Sequence, residues 1–126
     1  MSSFPIRRFS RVSLAVLVSL PSLLWSAIDF NSEVRPVLSN NCFFCHGPDS
    51  HERKADLRLD TEEGATRDLG GYAALVPGSL TKSEMWARII SPDPDDIMPP
   101  PEAHKVMKPK DREIIKLWIL EGAKYD

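Results

Sequence analysis

The sequence predicts a small all-α domain of three to four short helices that follows an N-terminal signal segment. Apolar residues recur at three- and four-residue spacing in several short stretches, which is typical of amphipathic helices. Eleven prolines within 126 residues divide the chain into short elements joined by stiff loops. So short a chain is one domain at most and buries only a modest core, so we expect something besides side chains to complete that core.

The first 27 residues are predicted to be a signal peptide. Arg7, Arg8 and Arg11 form a positively charged start without any acidic residue, and a mainly apolar stretch covers residues 12–27. This stretch is barely long enough to span a bilayer, which favours a signal over a membrane anchor and leaves an uncleaved anchor as the alternative. We therefore expect export to the periplasm or to the outer face of the cytoplasmic membrane.

The charge pattern excludes one class of function. Without the three arginines of the signal segment, 13 basic residues face 18 acidic ones, which is a formal charge of −5. The chain has no basic patch with interleaved aromatic residues, so it is not expected to bind nucleic acid. An acidic surface favours a basic or weakly interacting partner.

The predicted domain covers residues 29–123 and opens with a short helix. Asp29 or Asn31 is expected to cap this helix over residues 32–38, and Pro36 is tolerated in its first turn. Its predicted buried side comprises Phe30, Val34, Val37 and Leu38. The polar stretch that follows the cysteines, residues 47–54, is predicted to be a surface loop.

A second short helix is predicted over residues 62–66. Residues 57–60 alternate apolar and charged side chains, which favours a short extended piece, and Asp60 or Thr61 then caps the helix. Its acidic start agrees with the helix dipole.

A third helix is predicted over residues 84–90, with Ser79 or Thr81 as its cap. It leads into residues 95–101, where three consecutive prolines exclude a helix and a central strand. We predict a stiff extended strap there.

The last helix has the clearest pattern in the sequence. Pro109 is placed in its first turn, and Gly122 supplies the stop. Its pattern is a spacing of three and four residues through Ile114, Leu117, Trp118 and Glu121. Ile115 and Ile119 widen the predicted apolar stripe.

Both cysteines of the chain lie in one stretch, Cys42–Cys45, and His46 follows at once. A disulfide across so small a loop would restrain little of the unfolded chain and would leave the histidine without a role. Zinc would need further ligands, such as His51 or His104. A thioredoxin-like redox pair would need a βαβ surround that the sequence lacks.

A covalently bound haem accounts for every residue of this motif. Each thiol adds to one of the two vinyl groups of a protoporphyrin, and the spacing places both sulfurs on one side of a helical turn. The next residue then lies beneath the iron as its proximal ligand. Attachment of this kind takes place outside the cytoplasm, in agreement with the signal segment. The sequence thus predicts one haem c held by Cys42 and Cys45, with His46 on the iron.

Five residues compete for the sixth position on the iron: Met85, Met98 and Met107, with His51 and His104 as nitrogen alternatives. Met85 lies beside a tryptophan on a predicted helix and is more simply a core residue, and Met107 has charged neighbours. Met98 is favoured because a residue before proline is held extended and because a thioether ligand is frequent in electron carriers. The alternative is a methionine that only fills a gap in the core.

Two further groups of side chains are candidates for contact with the haem. The predicted walls of the macrocycle are Val37, Phe43, Phe44, Ile114, Leu117 and Trp118, and an ordinary helix–helix core is an equal reading of the same residues. Arg58 and Arg88 are candidates for the haem propionates, although a solvated arginine is the favoured reading of each.

The chain resembles the planctomycete-type cytochrome c domain, a class I cytochrome c-like haem domain, over nearly all of residues 29–123. The resemblance is carried by Phe30–Leu38, Cys42–Pro48, Leu57–Thr61, Val76–Gly78, Met98–Pro100, Trp118–Ile119 and Glu121–Ala123. It implies a mostly helical cytochrome c-like fold with haem c joined to Cys42 and Cys45 and iron between His46 and Met98.

Electron transfer is the function that this resemblance implies, with redox proteins as partners and no residue in an acid–base catalytic role. A peroxidase-like accessory haem domain and a haem-based sensor of small ligands are the alternatives. Similar domains usually stand at the start of much longer polypeptides, so a free-standing carrier and a shortened form of a larger protein are both open. An uncleaved signal segment would add membrane association.

Overall fold

The computed structural model describes residues 26–126, so the predicted signal segment lies outside the described residues except for its last two. The described chain is helical: α1 (Arg35–Asn41), α2 (Phe43–His46), α3 (Glu62–Thr66), α4 (Glu84–Ile89) and α5 (Pro109–Leu120), with a π-helical turn at Phe30–Val34 and a 3-10 turn at Pro101–Ala103. Within residues 26–126 there is no β-strand, and a single bridge joins Ala73 to Ser83. The predicted all-α class is confirmed. None of the described helices has both the length and the apolar character to cross a bilayer.

The predicted first helix forms in two parts, the π-helical turn and α1. The Asp29 carboxylate accepts a hydrogen bond from the backbone N–H of Ser32 at 2.7 Å, which confirms Asp29 as the cap. Pro36 lies in the first turn of α1, where its missing N–H costs no helical hydrogen bond. The predicted buried side is confirmed, because Phe30, Val34, Val37 and Leu38 are all buried.

The last helix, α5, packs against the π-helical turn and closes the domain. It begins at Pro109 as predicted, and Gly122 follows it with a φ of 103°, a value that favours glycine. Its buried residues are Ile115, Trp118 and Ile119. The core-facing stripe is therefore centred on 115, 118 and 119, while Ile114 and Leu117 are half-buried and Glu121 is exposed.

Three aromatic rings join the two ends of the domain. The ring of Phe30 lies 5.8 Å from that of Trp118 and 4.6 Å from that of Tyr125, and the latter two rings are 5.2 Å apart. The indole N–H of Trp118 donates to the carbonyl oxygen of Lys124 at 2.7 Å. The phenol of Tyr125 donates to the carbonyl oxygen of Leu59 at 2.9 Å, which ties the C-terminal tail to the middle of the chain.

The start of α3 agrees with the sequence prediction, whereas the preceding extended piece does not form a strand. The Thr61 hydroxyl accepts from the N–H of Gly64 at 3.2 Å and caps the helix. Residues 57–58 have no regular secondary structure, residues 59–60 form a bend, and Leu59 is buried in the core. The alternation of side chains there has no neighbouring strand with which to pair.

The predicted cap of α4 is wrong. Neither Ser79 nor Thr81 fills this position, because the helix begins after Ser83. The buried Ser83 hydroxyl makes no capping bond and instead donates to the carbonyl oxygen of Ser79 at 2.6 Å and accepts from the N–H of Val76 at 2.9 Å. Ser83 therefore ties the preceding turn to α4.

The extended strap predicted over residues 95–101 is bent at both ends. The N–H of Ile97 donates to the carbonyl oxygen of Asp93 at 2.9 Å, which closes a turn before the prolines. Pro101 opens the 3-10 turn, a position that its fixed φ permits. Between these bends, the Met98–Pro99 peptide bond is cis and Pro100 is extended.

Candidate functional site

The cysteine motif occupies one turn of helix at the junction of α1 and α2. Cys42 ends α1, and its N–H donates to the carbonyl oxygen of Leu38 at 2.7 Å. Its own carbonyl oxygen then accepts from the N–H of Cys45 at 3.2 Å and from that of His46 at 2.8 Å. The structure therefore brings the two cysteines and the histidine together on one helical turn, as the spacing predicts.

The two thiols are free, so neither is used in a disulfide. Burial raises the pKa of the Cys42 thiol to about 12, the nearby Lys105 ammonium acts in the opposite direction, and Cys45 adds to the rise. The Cys42 thiol is consequently protonated at neutral pH. A free cysteine, rather than one joined in a disulfide, is what a thioether bond to a vinyl group requires.

The zinc reading of the motif gains no support. Across residues 26–126, no three His, Cys, Asp or Glu side chains come together as a group that could hold a metal ion. His51 and His104, the extra ligands that zinc would recruit, are both exposed.

The His46 side chain is suited to ligating a metal through one ring nitrogen. Burial lowers the pKa of the imidazole, while the backbone at Lys54 and Leu57 acts in the opposite direction. Among the described residues, no acceptor lies in hydrogen-bonding geometry to the buried Nδ1. A lowered pKa favours the neutral imidazole, which is the form that binds metal. The orphaned nitrogen and the two free thiols together fit a covalently bound haem.

The residues after the motif hold it in place, a role that sequence reasoning missed. The N–H of Lys54 donates to the carbonyl oxygen of Cys45 at 2.7 Å, and the N–H of Leu59 donates to that of His46 at 2.8 Å. These bonds satisfy carbonyl groups that the end of a helix leaves unpaired. A Cβ atom on Gly47 would lie 2.1 Å from the carbonyl oxygen of Phe43, so the chain can leave α2 in this direction only at a glycine. Gly47, directly after His46, was the feature of the sequence that could have indicated this tight exit from the helix.

The methionine candidates differ in burial. Met85 is 7% exposed and Met107 is 3% exposed, and both pack in the core. Charged neighbours in the sequence therefore do not keep Met107 out of the core. Met98 is half-buried and lies outside the core cluster, so core packing does not occupy its thioether. Met98 remains the predicted sixth ligand.

The predicted walls of the macrocycle separate into two groups. Val37 and Trp118 are buried, and the aromatic cluster and the bond to Lys124 place Trp118 in an ordinary helix–helix core. Phe43, Ile114 and Leu117 are half-buried. Phe44, between the two cysteines, is 66% exposed and is the wall candidate with the largest accessible apolar surface.

The two candidate propionate-binding arginines already have carboxylate partners. Arg58 forms two hydrogen bonds with Asp60, at 3.0 and 2.6 Å, and Arg88 forms one with Glu84 at 3.0 Å. The guanidinium of Arg58 also holds the pKa of the Asp60 carboxyl below its usual value. Both side chains are also more than a third exposed, so the reading of a solvent-accessible arginine stands for each.

Residues 42–102 match the family model described as Planctomycete cytochrome C. This stretch is a planctomycete cytochrome C domain. The match begins at the first cysteine of the motif and ends within the 3-10 turn after Met98, so it contains all four predicted haem-binding residues. The cytochrome C domain implies haem c as its cofactor, in agreement with the donor groups of the motif. Neither the curated proteins nor the solved structures include a match to the chain. The domain boundaries at 29 and 123 stay a prediction.

Proposed function

We propose that this cytochrome C domain transfers single electrons between redox proteins through one covalently attached haem c. The observation that carries the proposal is the helical turn from Cys42 to His46, which brings two free cysteines and a half-buried histidine together in a cytochrome C domain. Haem c supplies a one-electron iron couple when it is bound.

The cysteines form the covalent link. The thiols of Cys42 and Cys45 each add across one vinyl double bond, so that a sulfur–carbon bond forms and the thiol hydrogen passes to the other vinyl carbon. The addition consumes no oxidant, and it needs both cysteines free, as they are here. Two such links from one helical turn would fix the orientation of the haem relative to the protein.

His46 and Met98 are the proposed axial ligands. Burial lowers the pKa of His46 and so favours the neutral imidazole that can act as a ligand, and the bond from Leu59 to its carbonyl oxygen holds its backbone in place. Met98 contributes a thioether, which raises the reduction potential relative to a second imidazole. If His46 and Met98 both ligate the iron, no position would stay open for a substrate, which suits an electron carrier.

The partners are proposed to be a donor and an acceptor redox protein outside the cytoplasm. The formal charge of −5 that remains without the signal segment favours partners with basic or weakly charged surfaces. Steering of this kind raises association rates at low salt, and it weakens as salt is added.

The decisive experiment is expression of the full chain with export in a host that matures c-type cytochromes. We expect the denatured protein to carry the mass of one haem, a pyridine haemochrome spectrum of haem c, and reversible one-electron reduction. Carbon monoxide is expected to bind slowly, because it has to displace Met98. A colourless product with free or disulfide-bonded cysteines would refute the proposal, and rapid carbon monoxide binding would favour the sensor or peroxidase-like alternatives.

The axial ligand is tested by Met98→Leu with Met107→Leu as its matched control. Both changes preserve side-chain volume, so the cost in folding stability is modest. We expect Met98→Leu to abolish the spectrum of a sulfur-ligated ferric haem and Met107→Leu to retain it. An unchanged spectrum for Met98→Leu would reject this ligand while leaving covalent attachment intact.

A further inference from the structure

The segment that carries Met98 has little apolar burial of its own. None of residues 90–106, all of them described, has a buried side chain. The residues on either side of this segment, Ile89 and Met107, are buried in the core. A segment with few buried contacts opens locally at low free energy, so its position depends on hydrogen bonds and ion pairs.

Arg88, at the last turn of α4, makes the contacts that return this segment to the helix. Its carbonyl oxygen accepts from the N–H of Met98 at 3.1 Å. Its guanidinium NH1 lies 3.5 Å from the carbonyl oxygen of Asp96 and 3.8 Å from the carboxylate of the same residue. Both the backbone and the side chain of one residue therefore hold the two residues that flank Ile97.

The orientation of the Arg88 side chain is itself fixed. Its Nε donates to the Glu84 carboxylate at 3.0 Å, one helical turn earlier on α4. This leaves NH1 directed toward Asp96, so the arginine bridges the helix to the returning segment. Further along, the Lys105 ammonium donates to the carbonyl oxygen of Asn40, which tethers the far end of the segment close to the cysteine motif.

We propose that Arg88 is a positioning residue for Met98. It holds Met98 by anchoring the turn of residues 93–97 to the end of α4. The inference rests on the proposed function, because it gives Arg88 the task of keeping the thioether of Met98 at the iron. It predicts that loss of the guanidinium increases local opening of residues 93–98 and shortens the residence of Met98 as a ligand.

The test compares Arg88→Gln with the control Lys116→Gln in the haem-loaded full chain. Lys116 is 39% exposed against 38% for Arg88, and it likewise pairs with a glutamate on its own helix, Glu113 at 3.4 Å. Arg88→Lys is the conservative variant, since its ammonium keeps the charge but not the fork that reaches both carboxylates.

Two readouts are measured for each variant. The first is the rate at which added imidazole replaces the axial ligand of the ferric protein, and the second is hydrogen exchange of the backbone amides of residues 93–98. For Arg88→Gln we expect replacement to be about two- to fivefold faster, as fits the loss of an exposed ion pair, with faster exchange in the same residues. We expect a smaller increase for Arg88→Lys and no change for Lys116→Gln.

The outcomes separate this inference from the proposed function. Equal replacement rates or equal exchange in Arg88→Gln and Lys116→Gln would overturn the positioning role. An unchanged spectrum in Met98→Leu would show that Met98 is not the ligand and would overturn the positioning role for that reason. The covalent haem and its reduction would stand. Absence of covalent haem would overturn the proposed function itself, and the inference that rests on it.

Discussion

The backbone N–H of Leu59 donates to the carbonyl oxygen of His46 at 2.8 Å. Leu59 is buried, and its own carbonyl oxygen accepts from the phenol of Tyr125 at 2.9 Å. Through this single residue the proposed iron-binding histidine is connected to the aromatic cluster at the two ends of the domain. The haem motif is thus supported by contacts distant in sequence as well as by its own helical turn.

Gly47→Ala is expected to disrupt the haem motif. The added Cβ would lie 2.1 Å from the carbonyl oxygen of Phe43, a backbone atom that cannot move away without distorting α2. We expect a loss of about 3 kcal/mol or more in the free energy of unfolding, at the upper end of overpacking effects, together with a reduced yield of attached haem. Denaturant unfolding and the haem-to-protein ratio measure the two effects.

Gly71→Ala is the control for this prediction. Gly71 has a φ of 96° but open space around its Cβ position, so alanine there carries backbone strain of about 1–2 kcal/mol without a clash. Equal losses for the two glycines would contradict the packing argument for Gly47.

Met107→Ala is expected to destabilise the fold without changing the ligands of the iron. Met107 is 3% exposed in the core, so truncation should cost about 2–5 kcal/mol in the free energy of unfolding. The spectrum of the folded, haem-loaded protein should stay that of the unaltered chain. A changed axial-ligand spectrum with little loss of stability would instead assign Met107 to the iron.

Trp118→Ala should be among the most damaging single changes to the core. It removes two aromatic contacts and the hydrogen bond to the Lys124 carbonyl, and we expect a loss of about 3–5 kcal/mol. Leu120→Ala, on the same helix but 48% exposed, should cost much less. Denaturant unfolding of the two variants side by side measures this, and similar midpoints would show that the indole is not central to the core.

Tyr125→Phe should alter the pH dependence of stability. Burial raises the pKa of the Tyr125 phenol, with the negative charges of Asp60 and Glu62 acting in the same direction. The folded state therefore holds the phenol proton of Tyr125 more tightly than the unfolded state, in which the phenol has a pKa of about 10. The resulting stabilisation is complete below that pH and is lost as the pH rises above it.

In Tyr125→Phe the loss of folding stability at alkaline pH should become smaller. Near neutral pH, the missing hydrogen bond to Leu59 should lower the free energy of unfolding by about 0.5–1.5 kcal/mol. Urea unfolding between about pH 7 and about pH 11 measures both effects. Tyr72→Phe, at a position 53% exposed, serves as the control. Parallel pH profiles for the unaltered chain and Tyr125→Phe would contradict the assignment.

Local features were predictable because their physical causes lie within a few residues. The cap at Asp29, the cap at Thr61 and the start of α5 at Pro109 each depend on a side chain or ring acting on its own turn. The placement of the cysteine motif on one turn follows in the same way from helix periodicity.

The misses have causes at a distance. Helix α4 begins after Ser83 rather than after Ser79 or Thr81, because residues 80–82 form a turn that the Ser83 hydroxyl joins to the carbonyl oxygen of Ser79. The sequence left the burial of Met107 open, and the structure packs it in the core with residues of other helices. No pattern of neighbours along the chain records which groups meet after folding.

The sequence by itself determined the helical class, the short-range caps and the motif that marks a cytochrome C domain. Only the tertiary structure decided which methionines enter the core, how Leu59 supports the histidine, and how Arg88 holds the segment of Met98. The physical reason is that helix spacing and capping act over one or two turns, whereas burial and long-range hydrogen bonds depend on how the whole chain closes around its core.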